Sequence, residues 1–377
     1  MSVHFRTFPS AEDIGKEAWN SMAFGASPMM EWEYFYCLEK SSSVSPLRGY
    51  QPFHLVAFED DHPVALAPLY ERDRAWVEFG DGGLIEFLSE LTGIPFQKGL
   101  VGTIPFTPVP GYQFLHAPDT DPAKACKMLL DYIDFRCQTR GLSTARIYFL
   151  SHTSAVLHSL LSEQGYVRLT GEYYEWFNRD FGSFDDYLGS LKSSRRTKIR
   201  REIRTIRESG ISIEMIPGTE VPPEYYDDMY QLYVNTWEKH MGPTIAPFLN
   251  REFFRLLARN FAHRSSFSIA RSSSGLIALA LFYAKAGALY GRYWGCYEER
   301  PFLHFATCYY HPVDYAIKNK FLMMDPGFGG EHKVIRGYET VPVHHYIKFF
   351  GEQQRRIANL VLRQVGIPFD KPHQRFV

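Results

Sequence analysis

Cysteine is scarce in this chain: Cys37, Cys126, Cys137, Cys296 and Cys308 are the only five in 377 residues. None belongs to a C-x-x-C pair, the count is odd, and a chain this long needs no covalent staples. A disulfide scaffold is therefore excluded, and the thiols read as reduced. Long apolar runs are missing too. The longest, Leu276 to Ala284, stops at Lys285, far short of the roughly 20 residues a bilayer-spanning helix requires. The opening segment MSVHFRTFPSAEDIGKE contains no apolar signal stretch. Charge of one sign is absent overall, the net being −1. Together these absences predict a soluble, cytoplasmic protein with no integral membrane segment. A metal centre is not expected either. Cys296, His304, Cys308 and His311 are suitable ligands, but their spacing fits no zinc pattern.

What is present is ordinary in bulk and unusual in two details. The chain is 45% hydrophobic and 22% charged, which excludes disorder, a coiled coil and a collagen-like fibre. Its length suggests two or three domains of about 150 residues. Aromatics are abundant, with 24 Tyr and 30 Phe, as suits large cores and clefts lined by amphipathic rings. The charge is also unevenly placed. Lys192 to Arg207 holds eight basic residues and one acid, Glu202, leaving a net −8 on the other 361 residues. Such asymmetry points to an anionic ligand. No aromatics interleave with the basic residues, so base stacking is not expected there.

Periodicity divides the chain into alternating elements. Residues 14–40 read as helical, with Trp19, Met22, Phe24, Trp32, Phe35 and Leu38 as core contacts. A strand hairpin follows over 53–70. The Pro- and Gly-rich stretch 99–111 reads as an ordered loop or edge. Helices are expected at 123–141 and 154–164, and strands at 145–150 and 166–178. Ser183 with Asp186 opens a capped segment leading into the basic run. There Ile199, Ile203 and Ile206 form a narrow apolar stripe on one or two helices. A second pass of similar grammar begins with helices at 225–240 and 251–262. It continues with a hairpin at 267–284, a strand at 288–295, a helix at 305–318, a strand at 321–325 and a closing helix at 355–365. The repeated order suggests a duplicated α/β unit.

Several spaced motifs resemble one family. They include Leu289-Tyr-Gly-Arg-Tyr-Trp-Gly-Cys296, Leu303-His-Phe305, Cys308-Tyr-Tyr310 and Gly329-Gly-Glu-His-Lys-Val-Ile-Arg-Gly-Tyr338. In the first half, Pro105-Phe-Thr-Pro-Val-Pro-Gly111, Trp176 with Asn178, and Ser183 to Leu191 agree. These resemble the FemAB-like family of peptidoglycan biosynthesis/recognition proteins in the GNAT acyltransferase superfamily. The resemblance implies an α/β fold of tandem GNAT-like domains with mixed sheets flanked by helices, divided at 1–180 and 181–377. It also implies transfer of an acyl or aminoacyl group to an amine, with a peptidoglycan-type precursor as acceptor. The co-substrate would be acyl-CoA or aminoacyl-tRNA, with no cofactor held tightly. Two positions depart from the family pattern: Ala306 stands where a Glu is usual, and Glu175 where a His precedes the Trp. A third departure is the missing Pro around Glu339-Thr340.

Acyl transfer to an amine requires a base for the amine, stabilisation of an oxyanion and a proton for the leaving group. Glu331 and His332 are the candidate bases, and Tyr309 and Tyr310 the candidate acids. Arg292, His304, Lys333 and Arg336 are candidates for holding a phosphate or carboxylate, with Trp294, Trp176 and Asn178 beside the substrate. A structural Glu331–Arg336 pair is the alternative for that cluster. PGFGGEHK (326–333) can cradle phosphate on backbone N–H groups with Lys333 completing the site, although it lacks the G-K-[ST] ending of a Walker A loop. The CoA signature of GNAT enzymes, Arg/Gln-x-x-Gly-x-Gly/Ala before a helix, does not occur convincingly. On the basic run, Arg196, Arg200 and Arg201 are candidate contacts for tRNA or a nucleotide diphosphate. The competing reading is a catalytically inactive GNAT-fold module that binds a peptide, glycan or tRNA.

Overall fold

The computed structural model describes residues 2–73 and 79–364. The chain gathers into two compact units. One combines the residues up to Gly171 with those from Pro342 onward; the other is Glu172–Val341. A sequence reading cuts once, at 180/181. The structure instead returns the end of the chain to its beginning, because His344–Phe349 ladders antiparallel with Thr144–Leu150.

In chain order the strands are β1 (Val3–Phe8), β2 (Gln51–Pro52), β3 (His54–Glu59), β4 (His62–Ala67), β5 (Leu69–Arg72), β6 (Gly99–Gly102), β7 (Leu115–His116), β8 (Thr144–Leu150) and β9 (Val167–Phe177). They continue with β10 (Ser212–Pro217), β11 (Ser265–Ser272), β12 (Gly275–Lys285), β13 (Ala288–Cys296), β14 (Met323–Asp325) and β15 (Glu339–Phe349).

The first unit holds an antiparallel sheet in the order β1–β3–β4–β7 and a second run in the order β2–β5–β6–β8–β15. The β3–β4 hairpin turns at Asp60–Asp61, both left-handed (φ 47° and 66°), which is the twist a tight hairpin favours. Strand β6 pairs with β8 in parallel, and helix Pro122–Thr139 lies between them in sequence. Asp121 caps that helix through Ala123 N at 2.7 Å, and Leu129, Leu130 and Ile133 are buried on its inner face.

Several expectations shift here. Residues 14–40 are not one helix: Lys16–Met22 and Trp32–Lys40 are separated by a turn containing Pro28. Phe24 falls in that turn and is 84% exposed, while Trp19, Phe35 and Leu38 are buried as expected. Gly99–Gly102, expected as a loop or edge, is an interior strand between β5 and β8. The three prolines all follow it, so none removes a ladder donor. Strands β1 and β10, the helix Leu84–Thr92 and the full length of β15 were not anticipated.

The second unit runs in the order β10–β11–β12–β13–β14, with Trp176 and Phe177 of β9 pairing onto β14. Strand β13 pairs with β14 in parallel over Ala288–Tyr290 and Met323–Asp325. The intervening helix, Leu303–Lys318, contains a π-turn at Ala306–Tyr310. Pro312 explains it: a proline lacks the donor for the carbonyl four residues earlier and collides with it, and a wider turn relieves both. The basic segment forms two helices, Phe184–Ser190 and Ser193–Glu208. Ser183 Oγ accepts from Asp186 N at 3.1 Å, as its spacing predicts. The closing helix is Glu352–Gln364; Val365, where it was expected to end, lies outside the described residues. Among the described residues no helix is long and apolar enough to cross a membrane.

Candidate active site

The second unit's parallel ladder ends at Tyr290 and Asp325. Beyond it β13 continues beside β12, while the other chain turns into Pro326-Gly327. The carboxyl end of diverging parallel strands is the place where α/β sheets characteristically hold ligands, and here it gathers ionisable groups. Asp325 is fully buried. Its carboxylate accepts from Tyr173 Oη at 2.9 Å and from Gly327 N at 2.7 Å. Burial, reinforced by the nearby Glu175 charge, pushes its pKa up to about 7.

Gly327 has φ 86°, and a Cβ there would sit 3.1 Å from the Gly291 carbonyl oxygen. Only glycine allows this approach. Lys333, 1% exposed, donates from Nζ to Gly327 O at 2.6 Å. Burial pulls its ammonium down to about 8. The Gly-rich loop is therefore closed on itself. Asp325 occupies the Gly327 amide, and Lys333 fastens the loop's base. This corrects the expectation of a phosphate cradle completed by Lys333, because a carboxylate already holds the position an anion would take.

The one-turn helix His332–Ile335 follows. Tyr309 Oη lies 3.0 Å from His332 Nε2. His304 packs against Trp294 (ring centroids 5.1 Å), Tyr309 (5.3 Å) and His332 (6.2 Å). Phe305 lies 5.6 Å from the His332 ring. Burial lowers the pKa of His304 to about 3, with the charges of His332, Lys333 and Arg336 adding. Burial also lowers that of His332, helped by Arg336 and Lys333. Burial raises that of Tyr309. The site thus presents two neutral imidazoles and a protonated phenol, an arrangement suited to passing protons without carrying charge.

The structure brings together His332, Tyr309, His304, Trp294 and Lys333 from the sequence expectations, with Arg292 half-buried and its charge felt at Asp325. Others it sets apart. Glu331 is exposed. Arg336 is 3% exposed, and its buried partner is Glu202, at 3.0 Å, rather than Glu331. Tyr310 donates to Glu202 and accepts from Arg336 Nε at 2.8 Å, so neither it nor Arg336 opens to a ligand. Trp176 is 1% exposed in the hydrophobic core, edge-on to Tyr187. Asn178 is used in a turn, donating to Phe321 O at 3.0 Å and accepting from Phe181 N at 3.0 Å. On the basic helix, Arg196 donates to Gly189 O and Leu191 O, both at 3.3 Å. Arg200 pairs with Asp185 at 3.0 Å. Arg201 is exposed and forms no ion pair among the described residues. No group of three or more His, Cys, Asp or Glu is arranged for a metal among the described residues.

Two residues escaped the sequence reading although each left a signal. Asp325 ends a strand next to a Gly-rich turn, where functional carboxylates concentrate. Glu202 is the lone acid of the basic run and lies on the same face as Ile199 and Ile206.

Two successive sheet runs, each with a parallel pair bridged by a helix, define a tandem GNAT-like fold of mixed α/β type. The chain belongs to the FemAB-like family, described as peptidoglycan biosynthesis/recognition, whose family model matches residues 10–364. No curated protein matches it. Among solved structures it is similar to FemX, with TM-score 0.57, 10% identity, and 95% of this chain and 99% of that one covered. It is also similar to a conserved protein of unknown function from Bacteroides thetaiotaomicron VPI-5482 (TM-score 0.54, 10% identity, 93% and 100% covered). L-PGS from Bacillus licheniformis follows with TM-score 0.50, 11% identity, and 88% and 95% covered. At such identities the likeness is one of fold.

Proposed function

We propose that the second unit transfers an acyl or aminoacyl group to the amine of a peptidoglycan-type precursor. The observation that carries this reading is the 3.0 Å contact between Tyr309 Oη and His332 Nε2, set at the carboxyl end of the parallel pair in a chain of this family. In the reaction the amine nitrogen bonds to the donor carbonyl carbon, and the donor's C–S or C–O bond breaks. His332, neutral near pH 7, accepts the proton released by the amine. Tyr309, held protonated by burial, gives a proton to the leaving thiolate or alkoxide. The contact between them resets the pair, so protons balance over a turnover. Trp294, His304 and Phe305 wall the acceptor. Ala306 supplies no base, and His332 supplies one in its stead.

The donor is acyl-CoA or aminoacyl-tRNA. The connector from β13 to its helix, residues 297–302, carries Glu298 and Glu299. Its Arg300 is held by Glu298 at 2.6 Å. That favours a donor not recognised by a diphosphate at this helix start. Exposed Arg201, with Arg204 and Arg207, offers a separate phosphate-binding face.

The test is an amine-transfer assay of the full chain with acyl-CoAs and charged tRNA at low and physiological salt. His332→Ala and Tyr309→Phe should each lower turnover about 100-fold, the lower end for a positioned acid or base. Glu331→Gln should leave it unchanged, and Arg201→Glu with Arg204→Glu should weaken only a phosphate-rich donor, through its salt-dependent phosphate contacts. If His332→Ala and Tyr309→Phe both keep full turnover, the assignment of the pair fails. If no donor reacts while a muropeptide alone raises the melting temperature, the protein is a binding module.

A further inference from the structure

We infer that Glu202 is a positioning residue that sets the geometry of the Tyr309–His332 pair from inside the basic helix. The inference rests on the site proposed above. Glu202 shares the inward face of Ser193–Glu208 with Ile199 and Ile206, and it is 1% exposed. A carboxylate in that apolar row is not explained by stability, because a well-packed hydrophobic side chain there is commonly neutral or better. Its partners explain it.

Arg336, 3% exposed, spreads its planar guanidinium over three elements. Nη2 donates to Glu202 Oε2 at 3.0 Å, Nε to Tyr310 Oη at 2.8 Å and Nη1 to the His332 carbonyl at 2.9 Å. The fork also stacks on Phe305, with Cζ 3.4 Å from the ring centroid. Tyr310 in turn donates to Glu202. A rigid fork with three directed bonds fixes orientation as well as position.

The consequence is local and specific. His332 is held by its carbonyl, one bond away from Arg336. Tyr309 is held through its neighbour Tyr310, on the π-turn that points consecutive tyrosines to different partners. Glu202 anchors both arms. Without it, Arg336 has no counter-charge, and the imidazole and phenol lose their common reference.

The experiment follows the imidazole nitrogens of His332 by NMR in the full-length, 15N-histidine-labelled protein, with His332→Gln for assignment. In the native chain, Tyr309 at Nε2 should hold one tautomer, with a titration midpoint below 6.5. Glu202→Gln should displace the midpoint downward, since the unbalanced Arg336 charge opposes protonation, and should let the second tautomer appear. Glu202→Asp should restore both. Because a lone buried charge can prevent folding, the neutral pair Glu202→Gln with Arg336→Gln is measured as well. It should also lose the single tautomer. Unchanged tautomer and midpoint in Glu202→Gln and in the neutral pair would overturn the inference, whatever the melting temperature does. The two readings separate cleanly. If turnover survives His332→Ala and Tyr309→Phe while Glu202→Gln still displaces the titration, the proposed function falls and the positioning role stands. If both hold, Glu202→Gln lowers kcat about tenfold and leaves KM within twofold.

Discussion

The two units share a device and use it differently. Each has a parallel strand pair bridged by a helix: β6 with β8 around Pro122–Thr139, and β13 with β14 around Leu303–Lys318. In the first unit the ladder ends at Gly102 and Ile147, and the chain's own loop fills the space that follows. Thr103 to Pro110 is buried throughout. Gly111 N and Tyr112 N both donate to Phe149 O at 3.0 Å. Tyr112 Oη donates to Pro68 O at 2.8 Å, and Thr107 Oγ1 meets Tyr34 Oη at 3.0 Å. In the second unit the corresponding end carries Asp325, Lys333, His332 and Tyr309. A duplicated fold therefore does not duplicate chemistry: one copy spends its strand ends on packing, the other on ionisable groups.

The largest effect that sharpens this contrast is in the second unit. Trp176→Ala should cost about 3–5 kcal/mol as a core deletion, read from denaturant unfolding. Trp294→Ala, at a half-buried wall of the site, should cost far less stability and act on turnover instead. Comparable unfolding losses for both would return Trp294 to the core.

The next effect lies in the first unit and depends on pH. Burial lowers the pKa of His344 and of His345 to about 4, and lowers that of His158 as well. His345 Nδ1 accepts from Phe149 N at 3.0 Å, so protonation of that nitrogen breaks the bond. The unfolded chain binds these protons at pH 6.5 and the folded chain does not, so stability should fall as pH drops from 6.5 to 4. His345 alone contributes roughly 3 kcal/mol across that window. Thermal unfolding between pH 7 and 4 reads it, and His345→Gln should flatten the profile.

The smallest is Tyr112→Phe, which strips one buried hydrogen bond from the filled strand end. It should cost about 1–2 kcal/mol and leave amine transfer untouched. A change in transfer from this substitution would show that the first unit takes part in the chemistry.

Much of the fold was legible because its signals are local. The Asp121 and Ser183 caps, the Asp60–Asp61 turn and the apolar runs of β8, β11 and β12 depend on neighbours within a few residues. What misled were cues that needed a partner to interpret. Periodicity counted Phe135 as core, yet it is 56% exposed. A proline-rich stretch looked solvent-facing, yet it is buried. In the site, residue type alone nominated Glu331 and Arg336 equally with His332 and Tyr309, and Trp176 equally with Trp294.

The sequence by itself determined the α/β grammar, its repetition, the family motifs and the chain segment that holds the site. Those are written in spacing and composition. Only the tertiary structure decided which ionisable side chains are exposed, which are paired and which face one another. Glu202 and Arg336 lie 134 residues apart and meet as an ion pair. Their pairing, and the separation of Tyr309 from Tyr310 by a π-turn, follow from packing between distant elements, which no local pattern encodes.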